Sequence, residues 1–302
     1  MSSRTYRLKT KESAAKGLRR IALGRTEAAR DALAGAGEGE LGPAIHGARK
    51  DLKKLRAVVR LARDELGKDL FRAENRRYRD AGRVLSGSRD AEAKLETLAA
   101  LRSHFGEDLP VDATERWESA LEAERDEVAI AARGETAAPI GKALKAVEQG
   151  RAQIATWPLK TDSWSLVGPG LARCYRQGRR AMRRTLADPS AENVHQWRKR
   201  AKDLWYQLRI VREAWPALLG ETADQAHELA DLLGDHHDLA MLVEDLAGRA
   251  GVGDRKALAA PIGHRQAELL ARALEIGSRL YAEKPKAFNR RLERYWLVWR
   301  EA

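Results

Sequence analysis

The chain is poor in the residues that cross-link or interrupt a fold. Its 302 residues include one cysteine, Cys174, which excludes an internal disulfide and which we expect to be a buried thiol. Only nine prolines and three phenylalanines occur, while Ala, Leu, Arg and Glu are abundant, a composition that favours helices. No segment shows the period-two alternation of a half-buried strand. We therefore predict an all-α protein.

Long apolar runs and the common catalytic motifs are also missing. No run approaches the ~20 apolar residues that cross a bilayer. The first residues, MSSRTYRLKTKES, lack the hydrophobic core of a secretory signal. We find no phosphate-binding P-loop, no serine nucleophile elbow and no Cys-x-x-Cys pair. We therefore expect a cytoplasmic protein without membrane insertion, not an enzyme, with no cofactor and no metal.

Negative charge is the scarcer of the two signs. There are 44 acidic residues against 56 Lys and Arg, so the formal net charge is +12 and the sequence pI about 9.9. Arginine is much the commoner cation, and its fork matches the geometry of phosphate oxygens. This balance predicts an acidic partner, which by charge alone could be nucleic acid, anionic lipid or polyphosphate.

Two stretches with a helical period lack acidic residues on one entire face. In NVHQWRKRAKDLWYQLR, residues 193–209, one stripe at 100° per residue holds His195, Arg198, Lys199, Lys202 and Arg209. At an offset of 149 residues towards the N-terminus, a matching stripe holds His46, Arg49, Lys50, Lys53 and Arg60. We call these the basic stripes. Cations four residues apart repel each other, so two such stripes indicate a polyanion that offsets the repulsion.

The opposite faces repeat at the same offset. The first apolar stripe holds Ile45, Ala48, Leu52, Leu55, Val59 and Ala62, and the second holds Val194, Trp197, Ala201, Leu204, Leu208 and Val211. An internal repeat of this size predicts two similar halves. We predict two helical bundles of about four to five helices each, related by a pseudo-twofold, over residues 1–157 and 165–302.

The doubled spacing H-x-x-R-x-x-x-K on a helix resembles the CHAD domain, the conserved histidine α-helical domain. The positions that match are His46, Arg49, Lys53, Lys54 and Arg56, and then His195, Arg198 and Lys202. Asp203 and Trp205 depart from the pattern, since they stand where the first half has Lys54 and Arg56. The resemblance implies two helical bundles about a pseudo-twofold. It also implies inorganic polyphosphate bound in a basic central cavity, often at polyphosphate granules.

Turn signals and periodicity predict the remaining elements. The segment Thr156–Gly170, with two prolines and two glycines, reads as the linker between the halves. Ser190 is predicted to cap the second histidine helix, and a break is predicted at 86–88. The predicted helices span 8–33, 43–65, 69–104, 113–133 and 139–155, and then 171–187, a histidine helix ending near 215, 218–248, 254–281 and 286–299.

Arginines on the helix before each basic stripe complete the predicted site. Arg19 corresponds to Arg173 and Arg25 to Arg179, at an offset of 154 residues. If each helix packs beside its histidine helix, the cations converge on one groove. The predicted polyphosphate contacts are Arg19, Arg25, His46, Arg49, Lys50, Lys53, Arg56, Arg60, Arg173, Arg176, Arg179, Arg180, His195, Arg198, Lys199, Lys202 and Arg209.

Two other functions stay open on the residues alone. A nucleic-acid-binding protein would have the same charge, but base stacking needs aromatic platforms, and only Trp205 and Tyr206 lie within the stripes. A metal-dependent phosphohydrolase of the HD type would recruit His195, His237, Asp238 and Asp245. Against the hydrolase, the first half has Arg89-Asp90 in place of His237-Asp238, and nearby cations disfavour a metal.

Overall fold

The computed structural model describes residues 4–37, 40–85, 90–131, 137–249 and 251–302. Within them lie twelve α-helices and no strand, so the all-α prediction is confirmed. The first half contains α1 (Ala14–Ala34), α2 (Leu41–Leu61), α3 (Arg63–Leu66), α4 (Lys68–Val84), α5 (Asp90–Phe105), α6 (Val111–Ala131) and α7 (Ala137–Ala155). The second contains α8 (Trp164–Ala187), α9 (Ala191–Val211), α10 (Pro216–Arg249), α11 (Val252–Leu280) and α12 (Pro285–Glu301).

The predicted count of four to five helices was too low for the first half, where the described residues form seven. The predicted helix 43–65 divides into α2 and the single turn α3, and α4 starts after Gly67. Gly67 has a φ of +75°, which ends the regular helix and which glycine adopts without a steric penalty. The predicted break at 86–88 lies outside the described residues.

Several predicted helix ends were also wrong. The first helix begins at Ala14, not at residue 8, because Ser13 caps it by accepting a bond from the Lys16 amide at 3.2 Å. The linker is shorter than predicted, since α8 begins at Trp164 and contains Pro169. Ser190 occupies the cap position of α9, but its hydroxyl bonds Asp188 at 3.1 Å and makes no cap bond.

The main core runs through both halves. In the first half α1, α2, α4 and α7 pack together, and in the second α8 packs on α9 and α12, with α10 against α9. Leu55 and Leu204, which correspond in the repeat, are both fully buried. The members of both apolar stripes are buried, except for half-buried Ile45. The division into 1–157 and 165–302 stays a prediction, because one apolar cluster includes residues of both ranges.

A second apolar cluster lies at the far end of the long helices. Here α5 and α6 pack against α10 and α11, so a hairpin of the first half covers helices of the second. Trp117 and Leu242 are among its buried residues. Across this contact, Lys94 Nζ lies 2.6 Å from Asp245 Oδ1. We call this region the distal lobe.

The two histidine helices, α2 and α9, meet directly where the halves join, and we call this contact the seam. Arg60 forms an ion pair with Asp203. Gln207 Nε2 donates to the Ala57 carbonyl at 3.5 Å. Along this contact the chain numbers rise on α9 as they fall on α2. A direct contact between equivalent helices is compatible with the predicted pseudo-twofold, which itself stays a prediction.

Among the described helices, none combines the length and the apolar character that a bilayer crossing requires.

Candidate functional site

The basic stripe of α2 faces solvent at its N-terminal end. His46, Lys50 and Lys53 are exposed, and Arg49 is half-buried. Arg60, the last residue of the stripe, and the nearby Arg56 are half-buried where α2 approaches the seam and α4. The stripe therefore passes from an open surface into the contact between the halves.

The basic stripe of α9 is less exposed. Lys199 is exposed, whereas His195, Arg198, Lys202 and Arg209 are half-buried. The opposite face of α9 packs into the core through Trp197. The helix is covered by α8, α10 and α2, so its cations line a sheltered surface rather than a convex one.

Cations of the two halves meet at Lys202. Burial lowers the pKa of Lys202, and Arg198 and Lys50 lower it further, while Asp231 and Asp238 oppose them. Lys50 belongs to α2, so a cation of the first basic stripe acts electrostatically on a cation of the second. The convergence of all these cations on one groove stays a prediction.

Acidic residues of α10 position the cations of α9. Arg198 Nη1 lies 3.4 Å from Asp238 Oδ1. The Arg198 guanidinium also packs on Gly234, where an added Cβ would lie 2.9 Å from Nη2. A neighbour without a side chain leaves room for the arginine, and the carboxylate fixes its direction.

Two histidine rings contact each other beside these cations. The ring centroids of His195 and His237 are 4.2 Å apart at an interplanar angle of 37°. Burial, then His237, then the cations Lys199 and Arg198, lower the pKa of His195 to about 4. Burial and Arg198 also lower the pKa of His237. Both imidazoles are therefore neutral near pH 7, and a neutral imidazole can donate one hydrogen bond to a phosphate oxygen.

The four residues of the phosphohydrolase hypothesis have separate surroundings. His195 and His237 are in contact, but Asp238 faces Arg198. Asp245 bonds Lys94 and, at 3.3 Å, Trp117 Nε1 in the distal lobe. In the part of the chain that the structure describes, no group of three or more His, Cys, Asp or Glu side chains is arranged to hold a metal ion.

The two departures from the doubled motif have structural explanations at the seam. Asp203 accepts contacts from Arg60 and, at 3.1 Å, from Arg200 Nη1. Trp205 is 7% exposed, and Arg209 lies 5.2 Å above its ring. In the second half a carboxylate and an aromatic ring thus occupy the places that Lys54 and Arg56 hold in the first.

The first-half arginines that precede the stripe contact the protein itself. Arg19 donates to the carbonyls of Trp157 and Leu159 at 2.6 and 2.9 Å, which fixes the linker. Arg25 is 8% exposed and pairs with Asp51 at 3.0 Å. The structure therefore does not bring their guanidinium groups to the open part of the α2 stripe.

The four α8 arginines among the predicted contacts divide into two kinds. Arg173 pairs with Asp64 at 2.6 Å, and Arg179 Nε donates to the Tyr281 carbonyl at 3.1 Å. Arg176 and Arg180 are exposed. Of these four predicted contacts, only the second pair is exposed.

Sequence reasoning missed Asp231 and two of the arginines around the site, although it had paired Asp238 with Asp90 as an acid that orients neighbouring arginines. Asp231 lies near Lys202 without a matching acid at the repeat offset, and Arg200 and Arg79 lie outside the stripes. The signal that could have found Arg79 is the arginine-rich period of α4, with residues 72, 76, 79 and 83 on one face.

Comparisons with known proteins agree with this architecture. The family model described as the CHAD domain matches residues 20–247. The crystal structure of the CHAD domain from the plant Ricinus communis is similar, with a TM-score of 0.59 and 14% identity over 93% of this chain and 96% of that one. At this identity the likeness bears on the fold alone. No curated protein matches the chain.

Proposed function

Because the chain belongs to the CHAD domain family, we propose that it binds inorganic polyphosphate through the basic stripes of α2 and α9. The family is associated with polyphosphate-related proteins. We further propose that it acts in the cytoplasm, at polyphosphate granules, and captures the polyanion without cleaving it.

The observation that carries the proposal is the electrostatic interaction of Lys50 with Lys202. Lys50 comes from the first half and Lys202 from the second, and burial, then Arg198, then Lys50 lower the pKa of Lys202. The repulsion from Arg198 and Lys50 together is only partly offset by the carboxylates of Asp231 and Asp238. A polyanion that touches both lysines would remove the remaining repulsion. The binding free energy would then include relief of a strain already present in the free protein.

The side chains around Lys202 suit inorganic polyphosphate. Arg198 is oriented by Asp238, and arginine forks bind phosphate oxygens in two parallel hydrogen bonds. The neutral His195 supplies a donor without adding repulsion. Successive phosphate groups of one chain can thus meet a lysine, an arginine and an imidazole in turn.

Nucleic acid fits the site less well. Trp205 and Tyr206, the aromatics within the stripes, are 7% and 3% exposed and stack on each other with centroids 4.5 Å apart. Buried rings cannot serve as platforms for bases. The remaining contacts would recognise only the phosphates, which polyphosphate presents more densely.

A competition experiment tests the proposal. Labelled polyphosphate is displaced by unlabelled polyphosphate, duplex DNA, single-stranded RNA or ATP at equal phosphate concentration. We expect polyphosphate to compete best, and its affinity to fall with salt at a log–log slope of several units, since each neutralised phosphate contributes roughly −0.7 to −0.9 in nucleic acids. A salt-insensitive affinity, or DNA as the better competitor, would refute the proposal.

Arginine variants tie the binding to the site. Arg198→Ala and Arg49→Ala should weaken binding about tenfold or more, as expected for a charge-assisted contact. Arg116→Ala is the matched control, because Arg116 is also ion-paired, with Asp254 at 2.6 Å, but lies on α6 in the distal lobe. Equal affinity of all three variants would contradict the assignment.

A further inference from the structure

Four arginines from three helices gather at the seam, on the α4 side of α2. Arg56 and Arg60 come from α2, Arg79 from α4 and Arg200 from α9. Burial, together with Arg60, Arg79 and Arg200, lowers the pKa of Arg56 to about 10, and Asp203 opposes this shift. We call these four residues the seam arginines. Three of them, Arg56, Arg79 and Arg200, belong to neither basic stripe.

Hydrogen bonds hold part of this cluster but use only some of its guanidinium N–H donors. Arg56 Nε donates to Asn75 Oδ1 at 3.2 Å. Arg200 Nη1 lies 3.0 Å from Gln177 Oε1 and 3.1 Å from Asp203 Oδ2. Each guanidinium carries five N–H donors, so these contacts use only a minority of the donors of Arg56 and Arg200.

Charge is also left over. Asp203 is shared between Arg60 and Arg200, and Asp80 pairs with Arg79 on its own helix at 2.8 Å. Four cations and two carboxylates leave a formal charge of +2 in this cluster. Clustered, partly desolvated arginines with spare donors are the chemistry that recognises a tetrahedral oxyanion.

The position of the cluster connects it to the basic stripe. Arg49, Lys53, Arg56 and Arg60 follow each other along one face of α2. A polyanion lying along this face would reach Arg56, which bonds Asn75 of α4, one helical turn before Arg79. It would also reach Arg60, which shares Asp203 with Arg200 of α9. Arg79 is held only by a surface ion pair with its sequence neighbour, which contributes little to stability, so its guanidinium can turn towards a ligand.

We propose that the seam arginines form a phosphate site, in which Arg56, Arg79 and Arg200 contact a phosphate group and Asp203 is a positioning residue that orients Arg60 and Arg200. This inference rests on the proposed function, since the phosphate group is one of a bound polyphosphate chain. It extends the binding surface from the groove between α2 and α9 across α2 to α4.

The test measures polyphosphate affinity for Arg79→Gln against Arg125→Gln. The control is closely matched, because Arg125 also bonds the next residue, Asp126, through Nε and Nη2, at 2.9 and 2.8 Å. Arg125 lies on α6 in the distal lobe, away from the seam. We expect Arg79→Gln to weaken binding of a long chain about tenfold and to lower the salt slope by about one unit, while Arg125→Gln binds as the wild type does.

Arg200→Lys supplies a second measurement at the seam. It keeps the charge but removes the planar fork, and we expect weaker binding with an unchanged melting temperature. Tripolyphosphate is measured alongside the long chain. A parallel loss for tripolyphosphate means that the site takes a phosphate group from either source, whereas a loss confined to the long chain means that the site takes phosphates of an extended polymer. Both outcomes support the phosphate site.

Two negative outcomes are distinguishable. If the wild type binds no polyphosphate, the proposed function fails and this inference with it. If the wild type binds but Arg79→Gln and Arg125→Gln have equal affinities and salt slopes, the seam site alone is refuted.

Discussion

Arg60 of α2 and Asp203 of α9 form an ion pair between the two halves of the chain. At the 149-residue offset, their counterparts are Arg209 and Lys54, and Arg209 lies close enough to Lys54 to lower its pKa. Where one half contributes a carboxylate, the other contributes an ammonium group. The two contacts therefore occupy equivalent places but have opposite electrostatic character.

The positions of the acidic and basic residues are also reversed within each helix. Lys54 is neutralised within its own helix by Asp51, at 2.9 Å, and Asp203 is contacted within its own helix by Arg200, at 3.1 Å. The seam thus has an inverted pair of charges at i and i+3 in the two halves. On α9 the stacked rings of Trp205 and Tyr206 follow Asp203 directly in the sequence.

Chain length is expected to control affinity through Lys50 and Lys202. If one polyphosphate chain bridges both basic stripes, the second contact is intramolecular and multiplies the affinity by orders of magnitude. Tripolyphosphate should then bind far more weakly per phosphate than a long chain. Calorimetry across chain lengths, with one long chain bound per protein, is the measurement.

Substitution of these lysines tests the bridge. Lys50→Gln and Lys202→Gln should each remove most of the chain-length advantage, and the double variant should lose less than the sum of the two, because bridging is lost only once. Lys256→Gln, an exposed lysine of α11, is the control. Two independent sites, one abolished by each substitution, would argue against a single groove.

The free energy of unfolding of the protein without ligand should decrease as the pH is lowered, because of His195. The pKa of His195 is lowered from about 6.5 to about 4 in the folded protein. Between these values the unfolded chain binds a proton that the folded chain does not, so the free energy of unfolding decreases as the pH drops through this window. Thermal melts at pH 7.5, 6.0 and 5.0 should show a shallower decline for His195→Asn than for the wild type.

Bound polyphosphate should reverse this effect. Negative charge beside an imidazole raises its pKa, so binding should take up protons and be tighter at pH 5.5 than at pH 8. His264→Asn, which changes an exposed histidine of α11, controls for the substitution. Identical melting profiles for His195→Asn and the wild type would contradict the role of His195.

The close approach of α8 to α2 should depend on Gly170. A Cβ at this position would lie 2.7 Å from the Leu61 Cα, and neither backbone can move without displacing its helix. Gly170→Ala should therefore destabilise the protein by about 1–3 kcal/mol. Gly263→Ala meets no atom within 4 Å and should stabilise α11 by about 0.5–1 kcal/mol. Denaturant unfolding measures both, and equal stabilities would show that the two helices do not pack this closely.

Two core leucines provide an independent check on the packing. Leu55 and Leu204 occupy equivalent positions and are fully buried. Leu55→Ala and Leu204→Ala should each destabilise by about 2–5 kcal/mol. A loss well below 1 kcal/mol in either variant would mean that its side chain is not enclosed as the structure has it.

Removal of metal ions should leave binding unchanged. The proposed contacts are cations and neutral imidazoles, and cations disfavour a nearby metal ion. We expect EDTA to alter neither the affinity for polyphosphate nor its integrity, with no orthophosphate released. Metal-dependent release of orthophosphate that disappears in His237→Ala would establish the phosphohydrolase hypothesis instead.

The sequence by itself determined the helical class and the apolar faces. Composition and period predicted helices because each residue carries its own propensity, and the faces of α2 and α9 followed from a spacing of three and four residues. The doubled histidine spacing pointed to the family for the same reason, since the motif lies within a single helix. Helix ends were predicted less accurately, as Ser13 and Gly67 show, because a helix cap depends on individual hydrogen bonds and backbone angles.

Only the tertiary structure decided which cations are buried against a counter-ion and which stay exposed. Arg25 and Arg198 look alike in the sequence, yet Arg25 is buried against Asp51 and Arg198 lies beside Lys202. Arg79 and Arg200 joined Arg56 through contacts between different helices, which no periodicity within one helix encodes. Burial and the choice of a counter-ion arise from packing between distant segments, so charge alone predicted an acidic partner but not which cations stay available to contact it.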